Sequence, residues 1–291
     1  MPVVFVLIWS TGFIVARYGM PLSPPLKFLA TRYALSILCF LPWIVMAKVP
    51  WPQSRAQWRH LAITGIFMHA CYLGGVWAAV RAGMGSGLTA LIVGLQPVLT
   101  AFWLSSRSDA SHGSQITQRQ WAGLLLGLVG LVMVVSRKFG AGGEVSWLNM
   151  TLIIGALLGI TIGTLYQKRF VEPCDVRTAN VVQLGAALLA TLPLAWAEPE
   201  PMQWNGQLMG AMAWSVLALT LGGSSLLYLL IQRGAAASVT SLMYLVPPCT
   251  ALMAWLLFAE PITTVTIVGT LITAVGVSLV VRSGRPANLA P

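Results

Sequence analysis

Ten stretches of about twenty apolar residues follow one another along this chain with only short gaps between them, and that pattern constrains the fold more than any other feature. They fall at 2–19, 26–47, 57–81, 84–105, 118–136, 147–169, 177–197, 207–232, 235–258 and 264–282. A helix needs about 20 apolar residues to cross a hydrocarbon core about 30 Å thick. Each stretch is long enough, and together they use up the 291 residues. The period-2 alternation of a β-barrel is absent, and runs such as Leu124 to Val135 are apolar on every face. Only 8% of the residues are charged, against roughly 25% in an average soluble domain. That excludes a soluble globular protein, a disordered chain and a nucleic-acid-binding domain. The sequence predicts an all-α polytopic membrane protein of ten transmembrane helices.

The net charge of +10 comes from 17 Lys and Arg against 7 Asp and Glu. The basic residues are scattered between apolar runs and form no patch, so they are read as a topology signal. With the N-terminus inside, most of them collect on the cytoplasmic side. The opposite side is left with Arg17, Lys27, Arg32, Arg81, Arg137 and Lys138. Both termini are predicted to be cytoplasmic. Residues 1–16 carry no positively charged start, and no small-residue cleavage site follows them, so the first segment is expected to be a retained helix and not a signal peptide. Cys39, Cys71, Cys174 and Cys249 show no paired spacing, and neither a disulfide scaffold nor a metal site is expected.

Sliding the chain against itself by 151 residues gives a recurring match. Gly12 falls on Gly163, Leu41-Pro42 on Leu192-Pro193, Trp77 on Tyr228, Gly83 on Gly234, Thr89 on Thr240 and Pro97 on Pro248. Beyond a shorter loop in the second half the offset drops to 146, and Gly123 and Gly130 meet Gly269 and Gly276. Five spans is an odd number, so the second half is inserted upside down. The expected organisation is a first five-helix repeat over 1–140 and a second, inverted one over 147–285. Inverted repeats are the architecture of alternating-access carriers, with substrate near the midplane where the repeats meet.

The opening Leu7-Ile8-Trp9-Ser10-Thr11-Gly12-Phe13, followed by Arg17, resembles the first helix of EamA-type members of the drug/metabolite transporter superfamily. So do Gly87-Leu88-Thr89-Ala90 with Pro97, the partner Ser238-Val239-Thr240-Ser241 with Pro248, and Glu260-Pro261. The resemblance covers essentially the whole chain. Within the superfamily the chain looks most like YddG-type bacterial exporters of aromatic amino acids. It implies a multi-pass transporter of the bacterial inner membrane with no cofactor, whose cavity is lined by spans one, three, four, six, eight and nine.

The polar residues of those spans agree independently. Span three places His69, Tyr72 and Val76 at i, i+3 and i+7, with Trp77 alongside, and span eight places Thr220, Ser224 and Tyr228 at i, i+4 and i+8. Span four aligns Thr89, Gln96 and Thr100; span six adds Thr161 and Thr164; span nine adds Tyr244; span one adds Trp9. The candidate substrate contacts are Trp9, His69, Tyr72, Trp77, Gln96, Thr161, Thr164, Ser224, Tyr228 and Tyr244. Gly12, Pro97, Pro247 and Pro248 are candidate helix-break or gating positions. Polar groups at this depth are costly against lipid and are expected to face the bundle interior. Each also has a plainer reading: hydroxyls bond their own helix, prolines kink for packing, Gln96 joins two helices, and His69 is a satisfied structural histidine. Gly123, Gly127, Gly130, Gly269 and Gly276 permit close helix approach, within one chain or across a homodimer. Glu260-Pro261 with Thr263 or Thr264 reads as the start of span ten.

No Asp or Glu lies near the centre of a span, which weakens proton coupling. Arg32 counts with the outer charges, so no Lys or Arg is placed at mid-depth, and the substrate is expected to be uncharged overall or cationic. The function expected is facilitated export of amino acids, aromatic or apolar ones preferred, or of similar small metabolites, by alternating access and without ATP. A proton-coupled exporter of toxic organic cations and a passive channel are the alternatives. A membrane enzyme acting on lipid-linked substrates is disfavoured, because His60, His69 and His112 have no acidic partner at a useful spacing.

Overall fold

Helix boundaries in this chain are set by caps, and several of the caps come from distant loops. The computed structural model describes residues 2–106, 118–138, 144–223, 226 and 245–283. Over these the protein is helical, with no strand among the described residues. The helices are α1 (Pro2–Gly19), α2 (Pro25–Met46) and α3 (Arg55–Arg81), followed by α4 in two pieces, Ser86–Val93 and Gln96–Ser106. Then come α5 (Gln118–Lys138), α6 (Trp147–Phe170) and α7 (Val176–Ala197). Next is α8 (Gly206–Trp214, continued by Ser215–Gly222), then α9 (Val246–Phe258) and α10 (Thr264–Ser283).

Among these, α2, α3, α5, α6 and α7 are long and apolar enough to cross a membrane, and the described parts of the others are shorter apolar helices. Large apolar side chains cover the outside: Trp196 is 88% exposed, Leu189 74% and Leu125 60%. Contiguous apolar surface on that scale is incompatible with water and fits a lipid boundary.

Ser54 accepts a hydrogen bond from the Gln57 amide at 3.0 Å and starts α3, and Asn205 accepts from Leu208 at 2.9 Å and starts α8. Ser146 and Asn149 form a reciprocal capping box on α6. α2 and α4 carry no side-chain cap of their own. Their free amides are met instead by second-half carboxylates. Glu198 accepts from Leu26 and Lys27 at 3.0 and 2.8 Å. Glu260 accepts from Ser86 at 3.0 Å and from Gly87 at 3.4 Å. A carboxylate at a helix N-terminus satisfies open N–H groups and complements the helix dipole. Of the start signal expected for span ten, Glu260-Pro261 with Thr263 or Thr264, Thr263 makes the capping bond, accepting from the Thr266 amide at 3.2 Å, while the Glu260 carboxylate serves α4. On the same side Arg81 pairs with Glu200, and Lys138 with Glu144.

Asp175 caps α7 and binds Arg177 through the side chain at 2.9 and 2.8 Å. These bonds hold its carboxyl below the usual carboxylate range, the Arg177 side chain contributing most. A depressed native pKa contributes stability above the unfolded pKa and loses it as pH falls through the native one. The melting-temperature advantage of the wild type over Asp175→Asn should therefore shrink on acidification from about pH 6 to about pH 3. A constant difference across that range would show that the carboxylate's charge is not what matters.

The glycine stripe packs within the chain. A Cβ on Gly130 would stand 2.5 Å from the Gly269 carbonyl, and one on Gly276 would stand 2.5 Å from the Gly123 carbonyl. α5 and α10 therefore touch backbone to backbone.

Candidate substrate-binding site

Three helices depart from regular α geometry at the same level of the bundle. In α3, Ile66–Cys71 widens into a π turn; in α8, Ser215–Gly222 does the same. α4 breaks at Gly94-Leu95. Pro97 explains that break, since it has no N–H and its ring collides with the carbonyl four residues back. π turns free or redirect backbone groups and are frequent at functional sites.

His69 lies within the π turn of α3, near the middle of that helix, and is half-buried. The Tyr33 hydroxyl of α2 donates to the His69 carbonyl at 2.8 Å, and its ring meets the imidazole edge-on at 6.1 Å. Gln183 of α7 is buried where that helix packs on α3, with its backbone against Gly65. Tyr72 is buried one turn further along α3. α2 and α7 therefore both meet α3 at its π turn.

Beside them lies a residue assigned above to the outer edge. Arg32 is only 8% exposed. Its Nε and Nη2 donate to Thr220 Oγ1 in the π turn of α8, at 3.2 and 3.1 Å. Thr220 in turn donates to the Ser215 carbonyl at 2.9 Å. The expectation of no basic residue at depth is thus corrected. Arg32 lies about 10 Å along α2 from its start, and its side chain runs inward to the centre of the bundle instead of outward to water. The signal was present, since Arg32 sits inside the apolar run Phe28 to Phe40.

No carboxylate among the described residues pairs with Arg32. The chain has seven acidic residues. Glu198, Glu200, Glu260, Glu144 and Asp175 are engaged as above, Glu172 meets Gln57 through its backbone, and Asp109 lies outside the described residues. Leaving a buried charge unpaired costs about 3–5 kcal/mol. Ser36, one turn from Arg32 on α2, and Ser215 carry the buried side-chain oxygens that have no hydrogen-bond partner among the described residues. Buried hydroxyls without partners are rare in native proteins. Arg32, Tyr33, Ser36, Gln183 and Ser215 were not among the sequence candidates.

The other candidates are placed as follows. Gln96 donates to Thr164 Oγ1 at 2.9 Å, joining α4 to α6, while Thr164 and Thr161 donate to carbonyls of their own helix at 2.7 Å. Trp77 is fully buried, stacked on Phe28 at 4.4 Å and packed against Gly19, so its ring is taken up by the core. Trp9 packs on Phe5 at 5.3 Å and faces Gly223 of α8, as Gly12 faces Leu219. Pro247 and Pro248 occupy the first turn of α9 and, with Leu91, Gly94 and Thr273, line a cavity of about 20 Å³. That is room for one water. Ser224, Tyr228 and Tyr244 lie outside the described residues. Among the described residues no His, Cys, Asp and Glu cluster could hold a metal.

The arrangement is a polar, partly unsatisfied centre enclosed by apolar helices, the form expected of a membrane carrier. A solved crystal structure superposes on this fold with a TM-score of 0.65, covering 98% of this chain and 97% of its own at 17% identity. In sequence the chain is similar to an "Uncharacterized transporter" of Archaeoglobus fulgidus, 22% identical over 94% of this chain and 93% of the relative. It is also similar to the "Uncharacterized inner membrane transporter YedA" of Escherichia coli K12, 24% identical over 85% and 78%. A third relative is the "Probable amino-acid metabolite efflux pump" of the same organism, 22% identical over 65% of this chain and 59% of that one. The EamA-like transporter family matches twice, over residues 2–136 and again over 147–282. With both halves of the chain matched, this protein belongs to the EamA-like transporter family of membrane transporters.

Proposed function

We propose that the chain exports amino acids, aromatic or apolar ones preferred, or similar small metabolites across the bacterial inner membrane by alternating access. The polar centre formed by His69, Tyr33, Gln183, Arg32 and Thr220 carries this reading, because its donors and acceptors suit a small molecule that is both charged and apolar. Export of amino-acid metabolites, named for one relative, supports the substrate class. Transport is facilitated and not ATP-driven, and the protein works as a monomer with both termini cytoplasmic.

Ten spans in two inverted repeats supply the machinery, and several placements support that organisation. At the offset of 151, the π turn Ile66–Cys71 falls on the π turn of α8, the Gly94-Leu95 break on the start of α9, and the intrahelical Pro42 on the intrahelical Pro193. The contacts exchange in the same way. Gly130 meets Gly269 while Gly123 meets Gly276, the reciprocal pairing of a two-fold axis between antiparallel helices. α1 packs on α8 as α6 packs on α3, and α2 on α8 as α7 on α3.

The test is a transport screen of the purified protein in proteoliposomes against amino acids and organic cations. Saturable counterflow of labelled phenylalanine or leucine is expected. Non-saturable flux would indicate a channel, and concentration of substrate by an imposed pH gradient would replace facilitated transport with proton coupling. Preference for organic cations would reverse the reading. A buried guanidinium repels a cation in the same low-dielectric space.

A further inference from the structure

We propose that Arg32 is an anion-binding centre that receives the carboxylate of the transported molecule. The inference rests on the export reading above and adds a determinant of specificity to it. Three observations carry it independently of that reading. The guanidinium is buried, and among the described residues its polar contact is one hydroxyl oxygen, Thr220 Oγ1, shared by Nε and Nη2. A guanidinium has five N–H donors in a planar fork that matches a carboxylate, so most of its donor capacity is unused. The second observation concerns counter-charge. The stretch from 224 to 244, which apart from residue 226 lies outside the described residues, contains no Asp or Glu, and neither do 284–291. The carboxylates of Glu144, Asp175, Glu198, Glu200 and Glu260 are held elsewhere, Glu172 is exposed in the connection between α6 and α7, and Asp109 belongs to the connection between α4 and α5. No acid on α2, α3, α7, α8 or α9 is placed to neutralise Arg32 from within the chain.

The third observation is the pair of orphan hydroxyls. Ser36 is one helical turn from Arg32 on α2, and Ser215 opens the π turn that holds Thr220. Both are fully buried and have no partner among the described residues. A carboxylate seated at Arg32 has oxygens enough to accept from the guanidinium fork and from a neighbouring hydroxyl. Thr220 donates to the Ser215 carbonyl and so turns a lone pair towards Arg32, fixing the guanidinium without neutralising it. A single cation suits a monocarboxylate better than a phosphate dianion, since the described interior offers no second Lys or Arg to share the charge. The site would therefore take amino acids and simple carboxylic acids and reject the corresponding alcohols and amines.

The experiment uses the full chain purified in detergent and reads ligand-induced shifts in melting temperature, titrated to an apparent Kd. The probes are L-phenylalanine and 3-phenylpropionate, with 3-phenylpropanol, phenethylamine and inorganic phosphate as comparisons. Both carboxylates should bind at least tenfold more tightly than the alcohol, the amine or phosphate. Arg32→Met should remove that preference, and Arg32→Lys should restore part of it. Equal binding of acid and alcohol by the wild type, no response to either carboxylate, tighter binding of phosphate, or a preference that survives Arg32→Met would each overturn the proposal. The wild-type comparison decides the matter even where a variant fails to fold. The two readings separate in proteoliposomes. If phenylalanine binds through Arg32 but is not carried, the amino-acid export reading fails and the anion site stands. If Arg32→Met carries phenylalanine as well as the wild type does, the anion site fails and export stands.

Discussion

Gly276→Leu drives α10 away from α5 and lowers the melting temperature of the purified protein by roughly 6 °C or more. The expectation follows from what surrounds Gly276. A Cβ there would stand 2.5 Å from both the Gly123 carbonyl and the Gly127 amide nitrogen. These are main-chain atoms of a helix and cannot swing aside as a side-chain tip can, so the helices must part. Gly130→Leu, at the exchanged position, meets the Gly269 carbonyl and should behave alike. Controls lie in the same protein. Gly155, Gly185 and Gly210 are helical, and nothing stands within 4 Å of a Cβ built on any of them. Alanine at these positions should leave the melting temperature unchanged or raise it, since glycine costs about 0.5–1 kcal/mol in a helix interior. Detergent melting curves, with monodispersity checked by size exclusion, make the comparison. Equal tolerance of leucine at Gly276 and alanine at Gly155 would mean that α5 and α10 do not pack closely.

His69→Ala should lower the rate of substrate uptake in proteoliposomes at least tenfold while leaving the fold intact. Tenfold corresponds to about 1.4 kcal/mol, the scale of one hydrogen bond to a charged or polar partner. The fold should survive because Tyr33 binds the carbonyl of residue 69 and not its ring, so truncation leaves the π turn anchored to α2. The space left by the imidazole makes a modest drop in melting temperature the expected cost. Unchanged uptake and binding would assign the imidazole to structure alone.

Much of the fold is legible in the sequence because lipid imposes it. The expected spans 2–19 and 118–136 correspond to Pro2–Gly19 and Gln118–Lys138, and 177–197 to Val176–Ala197. The site is less legible, for three separate reasons. Hydropathy averages over a window, so a π turn or the break at Gly94-Leu95 leaves no trace in it, although Pro97 marks the second. Counting charges by loop assigned Arg32 to the nearer edge, whereas a side chain that long can point either way along a helix, and its direction depends on what α8 presents. The choice between readings for Gln96 and Trp77 depends on partners far along the chain. Gln96 found Thr164, and Trp77 found Phe28. The glycine stripe left a homodimer face open in the sequence, and the packing shows it occupied by α5 and α10 of one chain.

The two borrowed caps bear on the order in which the protein can be completed. α2 and α4 leave the ribosome early, with open amides at Leu26, Lys27, Ser86 and Gly87. Their acceptors, Glu198 and Glu260, are synthesised more than 170 residues later. Until then those helix ends must draw on water or headgroups, which keeps them at the membrane surface. The first half of the nascent chain is thereby held unfinished, and translation of the last loop supplies the carboxylate that seats α4.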